Sequence, residues 1–233
     1  MNEYPYNVAR GGAVGSAAAR NRVLRNTYWL LALSMVPTVV GAWIGVVTGF
    51  SLFAATSPMM SMLAFFAIAF GFMFAIERTK ESALGVVFLL GFTFFMGLML
   101  SRLLTMILHF SNGPSLIMLA FGGTAVIFAA MASIATVSKR DFSGLGQWLF
   151  MGVIVILVAM VANMFLHLPA LMLTVSVLAI VIFSVFMLFD VQRVVNGGET
   201  NYITATLAIY LDLYNVFVNL LSLLGIFGGN NRN

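Results

Sequence analysis

Charge is what this chain lacks. Lysine, arginine, aspartate and glutamate make up 8% of its 233 residues, about a third of the roughly 25% that a water-soluble domain carries. A surface so poor in charge cannot face water over most of its area, and the remaining solvent is lipid. The 62% hydrophobic content and mean hydropathy of +1.07 agree. A helix needs about 20 mostly apolar residues to cross a bilayer. This length therefore has room for six to eight spans and for no sizeable soluble domain.

Seven spans can be drawn, at 28–50, 52–76, 83–108, 115–137, 145–166, 170–195 and 202–227. Each is expected to be helical, because lipid offers the backbone no hydrogen-bond partners. The breaks between them carry turn chemistry: Ser57-Pro58, Glu77 to Glu81, Asn112-Gly113-Pro114, Lys139-Arg140-Asp141, His167-Leu168-Pro169 and Asn196-Gly197-Gly198. The predicted fold class is thus an all-α membrane protein, a seven-transmembrane-helix bundle over 28–228. Residues 1–27, with Gly11, Gly12, Gly15, Ser16 and four arginines, read as a flexible basic cytosolic tail, and 229–233 as a short C-terminal tail. The first apolar stretch exceeds the roughly 7–15 residues of a signal-peptide core, so it is expected to stay in the mature protein.

The basic residues set the orientation. With the N-terminus inside, nine of the eleven fall on the inner side: Arg10, Arg20, Arg22, Arg25, Arg78, Lys80, Lys139, Arg140 and Arg193. Only Arg102 and Arg232 fall outside, an asymmetry that predicts an N-in, C-out topology. The same scatter over short loops argues against nucleic acid as the partner of a chain with pI 9.8. The first span carries Gly41, Gly45 and Gly49, a spacing that admits another helix closely, read here as packing within the bundle. No internal repeat and no inverted pair of broken helices points to a secondary transporter.

Little in the sequence offers catalysis. The absence of cysteine excludes disulfides, thiolate nucleophiles and cysteine metal sites. His109 and His167 lie near the outer ends of spans, where the proposed topology places no acid to orient them or share a metal. No nucleophile elbow, zinc-protease helix or phosphate-binding loop occurs. The expectation is a non-enzymatic protein without a cofactor.

The informative residues are two acids inside spans, Asp190 near the inner end of the sixth and Asp212 ten residues into the seventh, about 15 Å deep. Consecutive helices joined by a short loop are expected to be antiparallel neighbours, so the two carboxylates can face each other. Asp212, Asn215, Asn219 and Ser222 recur at i, i+3, i+7 and i+10, one helical face. Such a polar stripe must look into the bundle or a wet cavity. Two carboxylates in a low-dielectric site cannot both ionise cheaply. The pair is therefore a candidate proton sensor and a hard-oxygen site able to meet Ca²⁺. The competing reading is structural, with Asp190 paired to Arg193 three residues on and Asp212 to neighbouring asparagines.

Longer strings carry a resemblance. Leu188-Phe189-Asp190-Val191-Gln192-Arg193 and Tyr210-Leu211-Asp212-Leu213-Tyr214-Asn215-Val216-Phe217 resemble the transmembrane Bax-inhibitor-motif family. Val23-Leu24-Arg25-Asn26-Thr27-Tyr28, Gly122-Gly123-Thr124-Ala125, Met160-Val161-Ala162-Asn163 and Gly197-Gly198-Glu199-Thr200-Asn201-Tyr202 are similar to its proteobacterial inner-membrane branch, which modulates the FtsH protease. The likeness runs from about Arg22 to Phe227. It implies a seven-helix bundle with a central seventh helix and a bacterial inner-membrane location. It further implies binding to FtsH and slowing of its degradation of membrane proteins. In the family's calcium-leak members an acid on the sixth helix and one on the seventh form a pH-sensitive gate. That resemblance assigns the gate here to Asp190 and Asp212, with Ca²⁺ as permeant ion and Arg78 or Arg193 as a candidate latch. The modulator branch does not reliably keep the acid that stands here as Asp212.

Overall fold

A computed structural model of the chain describes residues 8–50 and 57–228. Seven α-helices account for nearly all of them: α1 (Val8–Thr48), α2 (Pro58–Thr79), α3 (Ala83–Leu108), α4 (Gly113–Val137), α5 (Leu145–Leu166), α6 (Pro169–Val195) and α7 (Tyr202–Gly228). All seven are long and apolar enough to cross a membrane. The large apolar side chains left exposed, among them Trp43, Phe74, Val126, Trp148 and Phe165, form the kind of surface that lipid solvates.

Local chemistry explains the boundaries. Helix α2 starts at Pro58, because proline tolerates the first turn, where its missing N–H has no partner to lose; residues 52–56, the expected start of this span, lie outside the described residues. Ser57 caps that turn, its Oγ accepting from the Met60 N–H at 3.4 Å. Asn201 caps α7, its Oδ1 accepting from the Ile203 and Thr204 amides at 2.8 and 3.2 Å. Between α5 and α6 the chain reverses at His167, in the left-handed region with φ 52°. There Asn163 receives the His167 amide on its carbonyl oxygen and the Leu168 amide on Oδ1, both at 2.9 Å.

The N-terminal segment departs from expectation. Residues 8–27, read from their glycines and arginines as a flexible tail, are helical and continuous with the first span. Ala17-Ala18-Ala19, Arg20, Arg22, Leu24 and Arg25 are strong helix formers, and the span beneath supplies the costly nucleus from which a helix propagates. Residues 1–7 of the expected tail, and 229–233, lie outside the described residues. At 1.5 Å per residue the 41 residues of α1 measure about 61 Å, roughly twice the hydrocarbon thickness.

Helix α1 packs chiefly on α3, and α6 on α7. The α1–α3 seam depends on missing side chains. A methyl group added at Gly41 would overlap the Phe94 carbonyl oxygen, one at Gly97 the Thr38 carbonyl oxygen, and one at Gly45 the Ser101 hydroxyl. Gly41 and Gly45 thus serve packing within the bundle. Helix α7 touches α1, α2, α3, α4 and α6, and none of its residues from 202 to 225 is exposed. Helix α5 rests on α6 alone among the described residues, through a small cluster of Ile156, Val175 and Ala179. The main core lies toward one end, around Leu30, Leu31, Ile76, Leu89, Phe92, Leu188, Val191 and Ile203. That end carries Arg20, the 80–82 and 138–144 turns and Gly197, and is called the basic end below.

Candidate functional site

The site is built where α7 crosses α6 near the basic end. Asp212 is 4% exposed, and its Oδ2 has no hydrogen-bond partner among the described residues. The carboxyl group acting on it at short range is that of Asp190, from α6. The two acids separated by twenty-one residues of sequence therefore meet across the α6–α7 contact. Asp190 has a second neighbour in Arg193, one turn along the same helix, with Nη1 3.5 Å from Oδ1. Arg193 also reaches Glu199 at 3.5 Å and lies over the Phe189 ring at 5.6 Å. The charges form a series from buried Asp212 through Asp190 and Arg193 to Glu199 at the rim.

The polar face of α7 is half-buried along its length. Asn215, Asn219 and Ser222 donate to the carbonyl oxygens of Leu211, Asn215 and Val218, each at 2.8 Å. Donors satisfied within their own helix can stay at membrane depth without a partner helix. Arg78 is not brought to the dyad by any contact among the described residues. Its guanidinium lies over the Phe74 ring at 5.1 Å. His109 and His167 are exposed at the opposite end, their Nδ1 atoms beside the backbone carbonyls of Thr105 and Phe165 at 2.6 and 3.1 Å.

A resident Ca²⁺ does not fit this donor set. The ion takes six to eight oxygens, and no group of three acidic or histidine ligands occurs among the described residues. Two carboxylates, one already engaged by a guanidinium, suit a shared proton or an ion in passage.

Sequence reasoning missed a second polar system on the far side of α7. Tyr210 and Tyr214 lie two residues either side of Asp212, which turns them about 160° away from it. The Tyr210 hydroxyl meets Thr38 Oγ1 at 2.9 Å and Tyr214 donates to the Met96 carbonyl at 3.1 Å, joining α7 to α1 and α3. Thr38 Oγ1 also reaches the Ser34 carbonyl at 2.9 Å, and the Tyr210 hydroxyl the Thr93 carbonyl of α3 at 3.5 Å. Gln192 was missed too. It is 3% exposed, accepts from the Phe142 amide at 2.8 Å and donates to the Arg140 carbonyl at 2.7 Å, tying the α4–α5 turn to α6. Asn201 does the same for the α2–α3 turn, donating to the Lys80 carbonyl at 2.9 Å. A tyrosine pair at i and i+4 inside a span was the available signal for the first system. Nothing local in sequence marks a glutamine that bonds a loop fifty residues away.

A multi-pass helical membrane protein with an acid on its sixth helix beside a buried acid on its seventh is the class these features define. Residues 20–229 match the family described as Inhibitor of apoptosis-promoting Bax1, and the chain belongs to that family. Among its relatives is the modulator of FtsH protease YccA of Escherichia coli K12, 38% identical over 90% of this chain and 92% of the relative. An uncharacterized protein of Neisseria meningitidis serogroup A is 35% identical over 88% of this chain and 91% of its own length. One of Pseudomonas aeruginosa is 32% identical over 99% of this chain and all of its own.

Proposed function

We propose that this chain is a non-enzymatic modulator of the FtsH protease in the bacterial inner membrane. On this reading it binds the protease complex and slows degradation of its membrane substrates. The observation that carries the reading is the end-to-end likeness to a relative named for that role, 38% identical over 90% of the chain. The basic end faces the cytosol in this proposal, the C-terminus lies outside, and α7 is the central helix around which the others are arranged. Pull-down of FtsH from detergent extract with the tagged chain, beside the half-life of an FtsH membrane substrate, tests it. Retention of FtsH and a lengthened half-life are expected; absence of both sinks the proposal.

A second activity, a proton-gated Ca²⁺ leak, is favoured by one specific feature: a buried Asp212 oxygen without a hydrogen-bond partner among the described residues, beside Asp190. Acids this close titrate as a pair, so Asp212→Asn and Asp190→Asn should each flatten the pH dependence of Ca²⁺ flux in liposomes. The double variant should add little. Asn219→Leu should impair conduction and leave the titration in place. Wild-type pH dependence in both single variants, or no flux at any pH, ends the leak reading and leaves protease modulation standing.

A further inference from the structure

Helix α1 presents two faces at the basic end. Thr27, Leu30, Leu31 and Ser34 are buried in the bundle. On the opposite face Ala18, Arg22, Arg25 and Trp29 follow at i, i+4, i+7 and i+11, a single helical stripe, with Asn21 beside it, and all five are exposed. Ala18, Asn21, Arg22 and Arg25 line an open recess.

Two contacts fix the height of this stripe relative to the membrane. The Arg20 side chain packs against Gly197 in the α6–α7 turn. Seven residues on, the Thr27 carbonyl accepts the Thr206 hydroxyl at 3.3 Å, one turn into α7. Arg22 and Arg25 therefore stand between the level of the loops and the first turn of the spans, at the boundary between water and lipid. Trp29, 72% exposed, lies just inside it, where amphipathic indole rings concentrate.

Neither guanidinium has an acidic partner among the described residues, whose ion pairs all involve Lys80 or Arg193. Guanidinium forks match phosphate oxygens in geometry and charge. The order along the helix axis, from charged forks to indole, is the order of a phospholipid from phosphate to glycerol and upper chain. A soluble anion leaves Trp29 uncovered, and nucleic acid does not reach below the headgroups.

We propose that the Asn21–Arg22–Arg25 face of α1 is a headgroup site for one anionic phospholipid, its phosphate held by the two guanidiniums and its glycerol region packed on Trp29. The site does not depend on the protease reading. It tethers the outer part of α1, whose Arg20 packs on the α6–α7 turn.

The test uses the full chain with Trp43→Phe and Trp148→Phe, leaving Trp29 as the sole indole of the three. It is reconstituted in vesicles mixing phosphatidylcholine with phosphatidylglycerol, one of the two brominated in each arm. Brominated phosphatidylglycerol should quench Trp29 well beyond its share of the lipid. Arg22→Gln with Arg25→Gln should reduce that preference about thirtyfold, as expected for two juxtamembrane cations. Lys139→Gln with Arg140→Gln removes equal charge from the same end and should leave it intact. Should the first pair fail to fold, the single changes Arg22→Gln and Arg25→Gln, each with a partial loss, carry the same comparison. Quenching in proportion to lipid share overturns the proposal. Equal losses from both charge-removing pairs overturn it as well, since a diffuse field and not a site would then be acting.

Discussion

Two hydroxyl systems show what single residues contribute. Tyr210 is 1% exposed and its hydroxyl meets Thr38 of α1 at 2.9 Å and, more weakly, the Thr93 carbonyl of α3 at 3.5 Å, so Tyr210→Phe removes its buried hydrogen bonding and little packing volume. About 1 kcal/mol is the usual net value of such a bond. The melting temperature in detergent should fall by about 2–4 °C, the shift expected for a chain of this size. Outside the membrane, the exposed Asp141 carboxylate accepts the Ser143 amide at 2.9 Å and the Ser143 hydroxyl at 3.0 Å. Those two bonds hold its pKa below the usual carboxylate value. The contribution is present above the unfolded pKa and lost as pH falls through the depressed folded one. Ser143→Ala removes the hydroxyl bond and should move the Asp141 carboxyl back toward the ordinary range in a carbon-detected NMR titration. The Tyr210 partner was not legible beforehand, because it depends on which helices the fold brings together, whereas the Asp141–Ser143 contact is a local turn bond two residues apart.

At the scale of the helix, the glycines divide by what surrounds them. A side chain at Gly97 meets the Thr38 backbone, whereas Gly122 of α4 has nothing within 4 Å of where one would go. Gly97→Leu should therefore separate α1 from α3 and cost more than the roughly 1–3 kcal/mol of ordinary overpacking. Gly122→Leu should be tolerated. Thermal unfolding by size-exclusion chromatography distinguishes them, and comparable loss in both would show that the seam is not the close contact described. Sequence could mark Gly41 and Gly45 as a seam but not name its partner, since Gly97 lies on a helix fifty residues away. The spans themselves were legible almost residue for residue at α3 and α5, where flanking turns are sharp. They were misread where a signal was missing or outvoted. No charge marks the stretch before Pro58, and the glycines of residues 8–27 obscured the helix that α1 carries outward.

For the molecule as a whole, the distribution of charge is the readable quantity. A reporter fused at residue 140 should be cytosolic and one at residue 233 external, judged by alkaline phosphatase and green-fluorescent-protein fusions. The reverse at residue 233 would mean a span has been miscounted. The packing of α6 on α7 was legible as a pairing of neighbouring helices, whereas the register that sets Asp190 against Asp212 was not. The arrangement of α1 on α3 was not, since chain order alone suggests that α1 should rest on α2. That arrangement bears on how the protein is made. Helices one and three run in the same direction, and their seam closes only when the second has already left the insertion channel. Until then Gly41, Gly45, Ser34 and Thr38 wait in the bilayer without their partner. A ribosome that stalls after the second span leaves this cleft uncovered, an unfinished surface that distinguishes the nascent chain from the completed one.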